Sequence, residues 1–192
     1  YGETLKVYSW ERFPQEYADI QKRLGDTYRA LADEESRVGN FDKAIEAYNR
    51  ALNVYTLKDA PANYGLVRKD LACVYNLLAD EKGMVADYKR AIESYEEALK
   101  FYTLSSHESE FASIQKSIAR AYEILAEKEK GPEFYKKAIQ AYEKSLSVYA
   151  IEEFPDDYGL VQRNLGIAYA RLAQYEDSAT NYKRSIPALE ES

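Results

Sequence analysis

Apolar residues recur along the chain every three or four positions, the spacing that places them on one face of an α-helix. The first such stripe extends from Tyr17 to Leu31 and predicts a helix of about six turns. A second stripe extends from Phe41 to Tyr55 and predicts a helix of about four to five turns. The polar stretch 35–40 between them predicts a turn, and no alternating strand pattern competes. This region is therefore predicted to be a pair of helices.

The same pattern returns three more times at a spacing of 47 residues, without a gap. The prolines show the repeat spacing, because Pro14 and Pro61 are 47 residues apart and Pro155 lies twice 47 residues after Pro61. Four ungapped matches at one period predict four copies of one structural unit. Examples of the repeated columns are Leu24, Leu71, Ile118 and Leu165; Tyr28, Tyr75, Tyr122 and Tyr169; and Ile45, Ile92, Ile139 and Ile186.

These columns predict a single repeat domain over residues 1–192, with repeats at 14–56, 61–103, 108–150 and 155–192. Residues 1–9 are predicted to be the last helix of a preceding repeat. Because the chain starts without Met and inside a repeat, we expect it to be part of a longer array. In the last repeat Pro187 lies inside the second helix, where proline removes a backbone donor and costs about 3 kcal/mol. We therefore expect that helix to be interrupted at Pro187, with a kink or an end near Ser185.

Two helices joined by a short loop lie antiparallel, and one such pair cannot bury its apolar face alone. Successive pairs must therefore stack on one another. The fold class predicted is all-α: an α-solenoid of four helix pairs.

The phrase Leu24-Gly25-x-x-Tyr28, followed by Ala44-x-x-x-Tyr48, resembles the tetratricopeptide repeat (TPR). The phrase returns at 71–75, 118–122 and 165–169, so the resemblance covers nearly the whole chain. The unit is longer than the roughly 34 residues of that repeat and resembles the enlarged repeats of long archaeal and bacterial arrays. The resemblance implies a right-handed superhelix whose first helices line a concave groove that binds peptides or proteins.

The charge and composition of the chain argue against several classes of partner and of location. The chain has 26 Lys and Arg against 33 Asp and Glu, a net charge of −7, which disfavours nucleic acid and anionic membrane surfaces as partners. No apolar run approaches the roughly 18 residues of a membrane helix, and a single cysteine excludes an internal disulfide. We expect a cytoplasmic protein. Of its 19 tyrosines, 18 lie in five repeat columns, so the tyrosine excess is interpreted as repeated packing.

An enzyme is not predicted, and no catalytic, cofactor-binding or metal-binding residue is assigned. The only His and Cys, His107 and Cys73, are 34 residues apart, and no Gly-rich phosphate loop or metal-ligand spacing occurs. His107 is interpreted as a loop replacement and Trp10 as an inter-repeat packing residue. Cys73 is interpreted as a structural or neutral thiol that borders the groove, because no base occurs at an equivalent repeat position beside it.

A lysine or arginine occurs at the same position in all four repeats, on the first helix and beside the apolar stripe. Neighbouring first helices pack about 8–10 Å apart, so this column predicts a basic ladder along the groove wall. Three interpretations stay open: a groove for an anionic peptide, a mixed groove with apolar anchors, or a solvated face. In TPR proteins such cations clamp a terminal carboxylate beside Asn, and Asp26 and Asp70 at those places argue against a strict clamp here. The candidate groove residues are Lys22, Leu66, Lys69, Cys73, Lys116, Arg120, Leu160, Arg163 and Ile167.

The function predicted is a non-catalytic protein–protein interaction scaffold that binds a peptide or protein segment in the groove, with an acidic segment as one of the open interpretations. The alternative is a self-associating structural or regulatory arm of a larger multi-repeat protein, since exposed apolar repeat ends favour association. The partners expected are a protein or peptide and, for the alternative, a second copy in end-to-end contact. Neither nucleic acid nor a membrane is expected as a partner.

Overall fold

The structure, a computed structural model, describes residues 10–192, and this part of the chain consists of helices and turns without a strand. The helix predicted over residues 1–9 lies outside the described residues. We call α1, α3, α5 and α7 the first helices and the others the second helices. The helices of residues 10–192 are α1 (Pro14–Glu34), α2 (Arg37–Leu52), α3 (Pro61–Lys82), α4 (Val85–Ala98), α5 (Glu108–Glu129), α6 (Pro132–Leu146), α7 (Pro155–Leu172) and α8 (Ser178–Glu190).

Proline begins three of the four first helices, at Pro14, Pro61 and Pro155, while α5 begins at Glu108. A proline at the first helical position loses no hydrogen bond and has the φ angle that the helix needs. His107 precedes α5 in a non-helical conformation and so lies in the loop.

The turn inside each helix pair contains one residue in the left-handed conformation. Ser36, Gly83, Lys130 and Asp177 have φ angles of 48°, 68°, 53° and 44°, and they are spaced 47 residues apart. A left-handed residue reverses the chain quickly after a helix, and only glycine adopts it without a steric penalty. Three of the four turns therefore hold a non-glycine residue in a conformation that favours glycine.

The chain forms two compact units, which are described separately: unit 1 ends at Phe101 and contains α1–α4, and unit 2 is Tyr102–Ser192 and contains α5–α8. Within each unit the helices of a pair pack together, and the second helix of one pair packs on the first helix of the next, α2 on α3 and α6 on α7. The connections within pairs are short, so paired helices are antiparallel. The all-α fold of stacked helix pairs is thus as predicted.

The core of unit 1 lies between α2 and α3, where the apolar columns meet and exclude water. Close approach of α1 to α2 depends on Gly25, because a Cβ atom there would lie 2.5 Å from the ring of Tyr48. The equivalent contact of α6 with α7 buries the same columns in unit 2. Buried members are Phe41, Ala44, Tyr48, Val67, Leu71, Val74 and Leu78 in unit 1, and Tyr135, Ala138, Ile139, Tyr142, Val161, Leu165, Ala168 and Leu172 in unit 2.

Tyrosine rather than phenylalanine fills many of these columns because the ring is buried while its hydroxyl reaches a carboxylate. The Tyr48 hydroxyl donates to Asp26 of α1 at 2.8 Å, and the Tyr169 hydroxyl donates to Glu143 of α6 at 2.8 Å. Burial and the neighbouring carboxylate both raise the pKa of each phenol. The tyrosine excess and part of the acidic excess therefore share one structural cause.

The predicted interruption at Pro187 is wrong in one respect: α8 does not end near Ser185 but continues to Glu190 with Pro187 inside it. The proline lacks the N–H that would bond the Lys183 carbonyl, but the buried Ser185 and Ala188 on either side hold the helix in place, and the Ser185 hydroxyl donates to the Gly166 carbonyl at 2.8 Å. Its own carbonyl still accepts a hydrogen bond from the Glu191 amide at 3.0 Å. None of the helices in residues 10–192 has the length and the hydropathy that a membrane span requires.

Candidate functional site

Five of the nine predicted groove residues line one cleft in unit 2, between α5 and α7. The cleft has a volume of about 660 Å³. The predicted residues along it are Lys116, Arg120, Leu160, Arg163 and Ile167. The other residues that line it are Ser117, Glu123, Ile124, Glu127 and Asn164. We call it the unit 2 cleft.

Helical periodicity explains why these residues share one surface. On α5 the cleft residues recur every three or four positions from Lys116 to Glu127, and on α7 they recur in the same way from Leu160 to Ile167. The opposite faces hold the buried core, with Ile118 on α5 and Leu165 on α7. Burial of those faces turns the polar and half-apolar stripes outwards, where they form the two walls of the cleft.

The cationic side chains of the unit 2 cleft differ in whether a carboxylate forms an ion pair with them. Lys116 forms an ion pair with Asp157 at 2.5 Å, and its Nζ atom lies 5.6 Å from the ring centre of Tyr149. Arg163 is exposed and forms no ion pair with any residue in 10–192. Arg120 is exposed on the facing wall. The cleft therefore presents two guanidinium groups to solvent beside apolar side chains.

A carboxyl group with a raised pKa lies in the same cleft. The pKa of Glu123 is raised to about 7, chiefly by burial and also by the charge of Glu127, although a hydrogen bond from the Tyr142 hydroxyl and the charge of Arg120 act in the opposite direction. At neutral pH this carboxyl is therefore partly protonated. Asn164 on the other wall is also within hydrogen-bonding reach of Tyr142.

In unit 1 the predicted residues are more dispersed. Lys22 and Leu66 line a smaller cleft of about 300 Å³, the unit 1 cleft, whose lining does not include Lys69 or Cys73. Both of the latter are half-buried on α3. The remaining lining residues of the unit 1 cleft are Asp19, Arg23, Asp26, Tyr55, Asn63 and Val67.

The charges of unit 1 compensate one another. The Lys22 ammonium lies 2.7 Å from an Asp26 carboxylate oxygen and 3.7 Å from an Asp70 oxygen. Burial raises the pKa of Asp70, and the charge of Lys22 partly offsets that effect. The cation column is thus present in both units, but in unit 1 Lys22 is held in an acidic network.

Sequence reasoning did not single out Asn164, Glu123 or Glu127. Asn164 could have been found from its spacing, because it lies four residues after Leu160 and three before Ile167. Glu123 carries no such signal, because its raised pKa comes from burial beside Tyr142, 19 positions away in the chain. Within residues 10–192, no three His, Cys, Asp or Glu side chains are grouped so that they could hold a metal ion.

Comparison with known proteins adds a family and a fold. A model of the family described as "Soluble NSF attachment protein, SNAP" matches residues 30–150, more than half of the chain. A search of curated proteins finds no match. The solved structures that resemble the chain include "Crystal structure of MamA", at 19% identity and a TM-score of 0.60, covering 99% of this chain and 85% of that one.

A second similar structure is "Crystal structure of BtubC (BKLC) from P. vanneervenii", at 19% identity and a TM-score of 0.61, covering 96% of this chain and 72% of that one. Both are TPR-like proteins, and at this identity they bear on the fold alone. The predicted fold class, an all-α solenoid of TPR-like helix pairs, is confirmed.

Proposed function

The chain belongs to the soluble NSF attachment protein (SNAP) family, and on that premise we propose that it is a non-catalytic interaction scaffold whose unit 2 cleft binds an acidic peptide or protein segment. The observation that carries the proposal is the exposed Arg163, without an ion pair in residues 10–192, next to apolar side chains of the same cleft. SNAP and TPR-like families bind protein partners, and the SNAP family is named for attachment to NSF.

The chemistry of the walls defines the ligand class. Guanidinium groups bind carboxylates through paired, charge-assisted hydrogen bonds, which are roughly twice as strong as neutral ones. Arg120 and Arg163 stand on facing helices, so a segment between them would meet a guanidinium on either side. Leu160, 39% exposed, and Ile167, 41% exposed, offer apolar contacts on α7. The ligand proposed is therefore a segment with acidic side chains alternating with apolar ones.

The objection to a carboxylate clamp applies to unit 1 and not to unit 2. Asp26 and Asp70 occupy the clamp positions in unit 1, where they neutralise Lys22. The equivalent residues of unit 2 are Arg120 and Asn164, a cation and an amide that both line the cleft. An amide beside a guanidinium donates to a carboxylate without adding negative charge. A chain of net charge −7 can thus hold a local anion site.

Two broader parts of the proposal follow from the repeat. We infer that the four enlarged 47-residue units of one repeat domain, at 14–56, 61–103, 108–150 and 155–192, form the scaffold. We also infer that it acts in the cytoplasm, since the lone Cys73 is a free thiol and reducing compartments keep thiols in that state.

Binding of a defined peptide tests the proposal. A fluorescein-labelled peptide of alternating Glu and Leu should bind, as measured by fluorescence anisotropy, while the same peptide with Lys in place of Glu should not. The affinity should fall as salt rises, because the contact is between charges near the surface. The variant Arg120→Gln/Arg163→Gln should bind at least about tenfold more weakly, the loss of about 1.4 kcal/mol expected for a charged contact.

Lys69→Gln is the matched control, because Lys69 is the unit 1 residue equivalent to Arg163 and lines neither the unit 1 cleft nor the unit 2 cleft. It should leave the affinity within about twofold of the parent value. Equal binding of the Glu and Lys peptides, or an equal loss in the control variant, would contradict the proposal.

A further inference from the structure

Two carboxyl groups lie in the α5 wall of the unit 2 cleft, and they differ in burial. Glu127 is exposed, whereas Glu123 is half-buried. Arg120 precedes Glu123 by one turn of the same helix, so the three side chains follow one another along the cleft. The proposed function uses the arginine and assigns no role to either carboxyl group.

A buried tyrosine holds the Glu123 carboxylate in this place. The hydroxyl of Tyr142 on α6 donates a hydrogen bond to it, and the Tyr142 side chain is fully buried in unit 2. In unit 1 the equivalent tyrosine, Tyr48, donates to Asp26, which lies three residues earlier in the repeat. Because unit 2 has Arg120 at the position of Asp26, the acceptor carboxylate lies one turn further along the first helix. This change puts a titratable group beside a guanidinium in the cleft.

The groups that act on the Glu123 carboxyl come from its own helix and from α6. The charge of Arg120 and the hydrogen bond from Tyr142 favour the ionised form, while the charge of Glu127 favours the protonated form. Burial also favours the protonated form, and it is the largest of these effects. The carboxyl group therefore changes its charge near neutral pH, since its pKa is about 7.

The charge of Glu123 matters to any anion in the cleft. Arg163 and Asn164 of α7 line the opposite wall, so a segment that contacts them lies in the same cleft as the Glu123 carboxyl. An ionised Glu123 repels the acidic side chains of such a segment, whereas the protonated carboxyl is neutral and can donate a hydrogen bond to a carboxylate. The segment in turn favours the protonated form, because a like charge nearby raises the pKa of a carboxyl group. Binding and protonation therefore promote each other to the same extent.

We propose, on the premise of the function given above, that an acidic segment binds to the unit 2 cleft together with a proton from solvent, which the Glu123 carboxyl takes up. The cleft therefore holds the segment more tightly at pH 6 than at pH 8.5, and the proton returns to solvent when the segment dissociates. One carboxyl group takes up at most one proton, so the affinity changes by at most about tenfold per pH unit.

Isothermal titration calorimetry of the full chain with the unlabelled Glu/Leu peptide tests the proposal. The peptide is acetylated and amidated and contains no histidine, so its charge is nearly constant between pH 6 and pH 8.5. The affinity of the parent chain should fall about five- to tenfold over this range. At pH 7.5, two buffers that differ in their ionisation enthalpy should show that about half a proton is taken up per peptide.

Glu123→Gln should remove this dependence. Glutamine has nearly the shape of the protonated glutamate, stays neutral at every pH and still accepts the hydrogen bond from Tyr142. The variant should bind the peptide at pH 8.5 about as tightly as the parent does at pH 6. Its affinity should change less than about twofold over the range, without proton uptake. An equal pH dependence in parent and variant overturns the proposal.

Two further variants should move the midpoint of the pH profile in opposite directions. The charge of Glu127 raises the pKa of Glu123, so Glu127→Gln should shift the midpoint to lower pH. The hydrogen bond from Tyr142 lowers that pKa, so Tyr142→Phe should shift the midpoint to higher pH. If Glu123 serves only as the acceptor for Tyr142, neither replacement moves the midpoint, and the proposal is wrong.

His107→Gln is the matched control, because His107 is the only histidine of the chain and histidine titrates in the same range. It lies in the loop before α5 and does not line the unit 2 cleft. Its replacement should leave the pH profile unchanged, and loss of the profile in this variant overturns the proposal. A peptide that binds equally at pH 6 and pH 8.5 overturns the role of Glu123 but leaves the proposed function intact. A peptide that binds at no pH overturns both.

Discussion

The clefts of unit 1 and unit 2 occupy equivalent positions of the repeat but differ in how their charges are compensated. In unit 1, Lys22 is held between Asp26 and Asp70. In unit 2 the equivalents of those two aspartates are Arg120 and Asn164, and Lys116 finds its partner elsewhere, in Asp157. The same repeat thus supports one cleft whose lysine is held by two aspartates and another in which Arg163 forms no ion pair within residues 10–192, because the cleft residues face outwards and can change without disturbing the core.

The largest effect expected concerns the stability of unit 1, and it depends on the small residue of the first helix that lies against a buried tyrosine of the second helix. Gly25 lies against Tyr48 in unit 1, whereas unit 2 has Ala119 and Tyr142 at the two equivalent positions. Gly25→Ala should lower the free energy of unfolding by about 2 kcal/mol, because the steric clash with a buried ring exceeds the gain in helix propensity. Hydrogen exchange should locate the loss in unit 1. Gly39→Ala, where no atom lies within 4 Å, should be neutral or stabilising.

The second prediction uses a carboxyl that only unit 2 has, since Arg29 is the unit 1 equivalent of Glu123. The pKa of Glu123 is raised to about 7 in the folded chain. Between its unfolded value of about 4.3 and 7, the folded state binds more protons than the unfolded state, so this group lowers stability as pH rises through that window. Below that pH window Glu123 does not change the stability of the folded chain, and above the window its full destabilising effect is present.

Glu123→Gln should therefore be more stable than the parent at pH 8, by about 1 to 2 kcal/mol after allowing for partial exposure of the carboxyl. The difference should vanish at pH 4, where the glutamate is neutral in both states. Denaturation curves at several pH values measure it, and only the difference between parent and variant is used, because other groups titrate as well. A difference that grows towards low pH would contradict the assignment.

The third prediction replaces one residue of the unit 2 cleft with the residue that unit 1 has at the equivalent position. Asn164→Asp introduces the aspartate that unit 1 has at Asp70, next to Arg163. We expect the affinity for the Glu/Leu peptide to fall about tenfold, since the new carboxylate competes for the cations. The reverse change, Asp70→Asn, should not create a site in unit 1, because Asp26 still pairs with Lys22 at 2.7 Å. Peptide binding in the Asp70→Asn chain with unit 2 disabled by Arg163→Gln would refute this.

The smallest effect concerns the turns, where the units differ by one glycine. Gly83 adopts the left-handed conformation in unit 1, and Lys130 adopts it at an equivalent position in unit 2. Lys130→Gly should raise the midpoint of thermal unfolding slightly, with a gain of about 1 kcal/mol from relief of the steric penalty. Gly83→Ala should lower stability by a similar amount. Equal and opposite shifts would show that the two turns are interchangeable.

Much of the fold was predictable because its signals are local. Helix positions follow from apolar residues three and four apart, and the phase from columns such as Leu24 and Leu71. The continuation of α8 through Pro187 was missed, because tertiary contacts of the buried Ser185 and Ala188 outweigh the local penalty of the proline, and those contacts are not visible in the sequence. The left-handed turns were missed as well, because Ser36 and Lys130 give no glycine signal.

Helical spacing could be used to place candidate residues on one face of a helix, but the electrostatic environment of those residues could not be predicted. The cation column and the apolar neighbours on α7 placed five predicted residues in one cleft. The ion pair of Lys116 was not predictable, because its partner Asp157 lies 41 positions away in the chain and reaches Lys116 only when α7 packs beside α5. The raised pKa of Glu123 has the same origin, since desolvation exists only in the folded chain.

The sequence by itself determined the helices, their phase and the identity of the residues on each face, because a helix places side chains by a period of about 3.6 residues that can be counted along the chain. Only the tertiary structure decided which charges are neutralised and which carboxyl is buried. Those properties depend on distances between residues far apart in the chain and on exclusion of water, and neither exists before the helices pack.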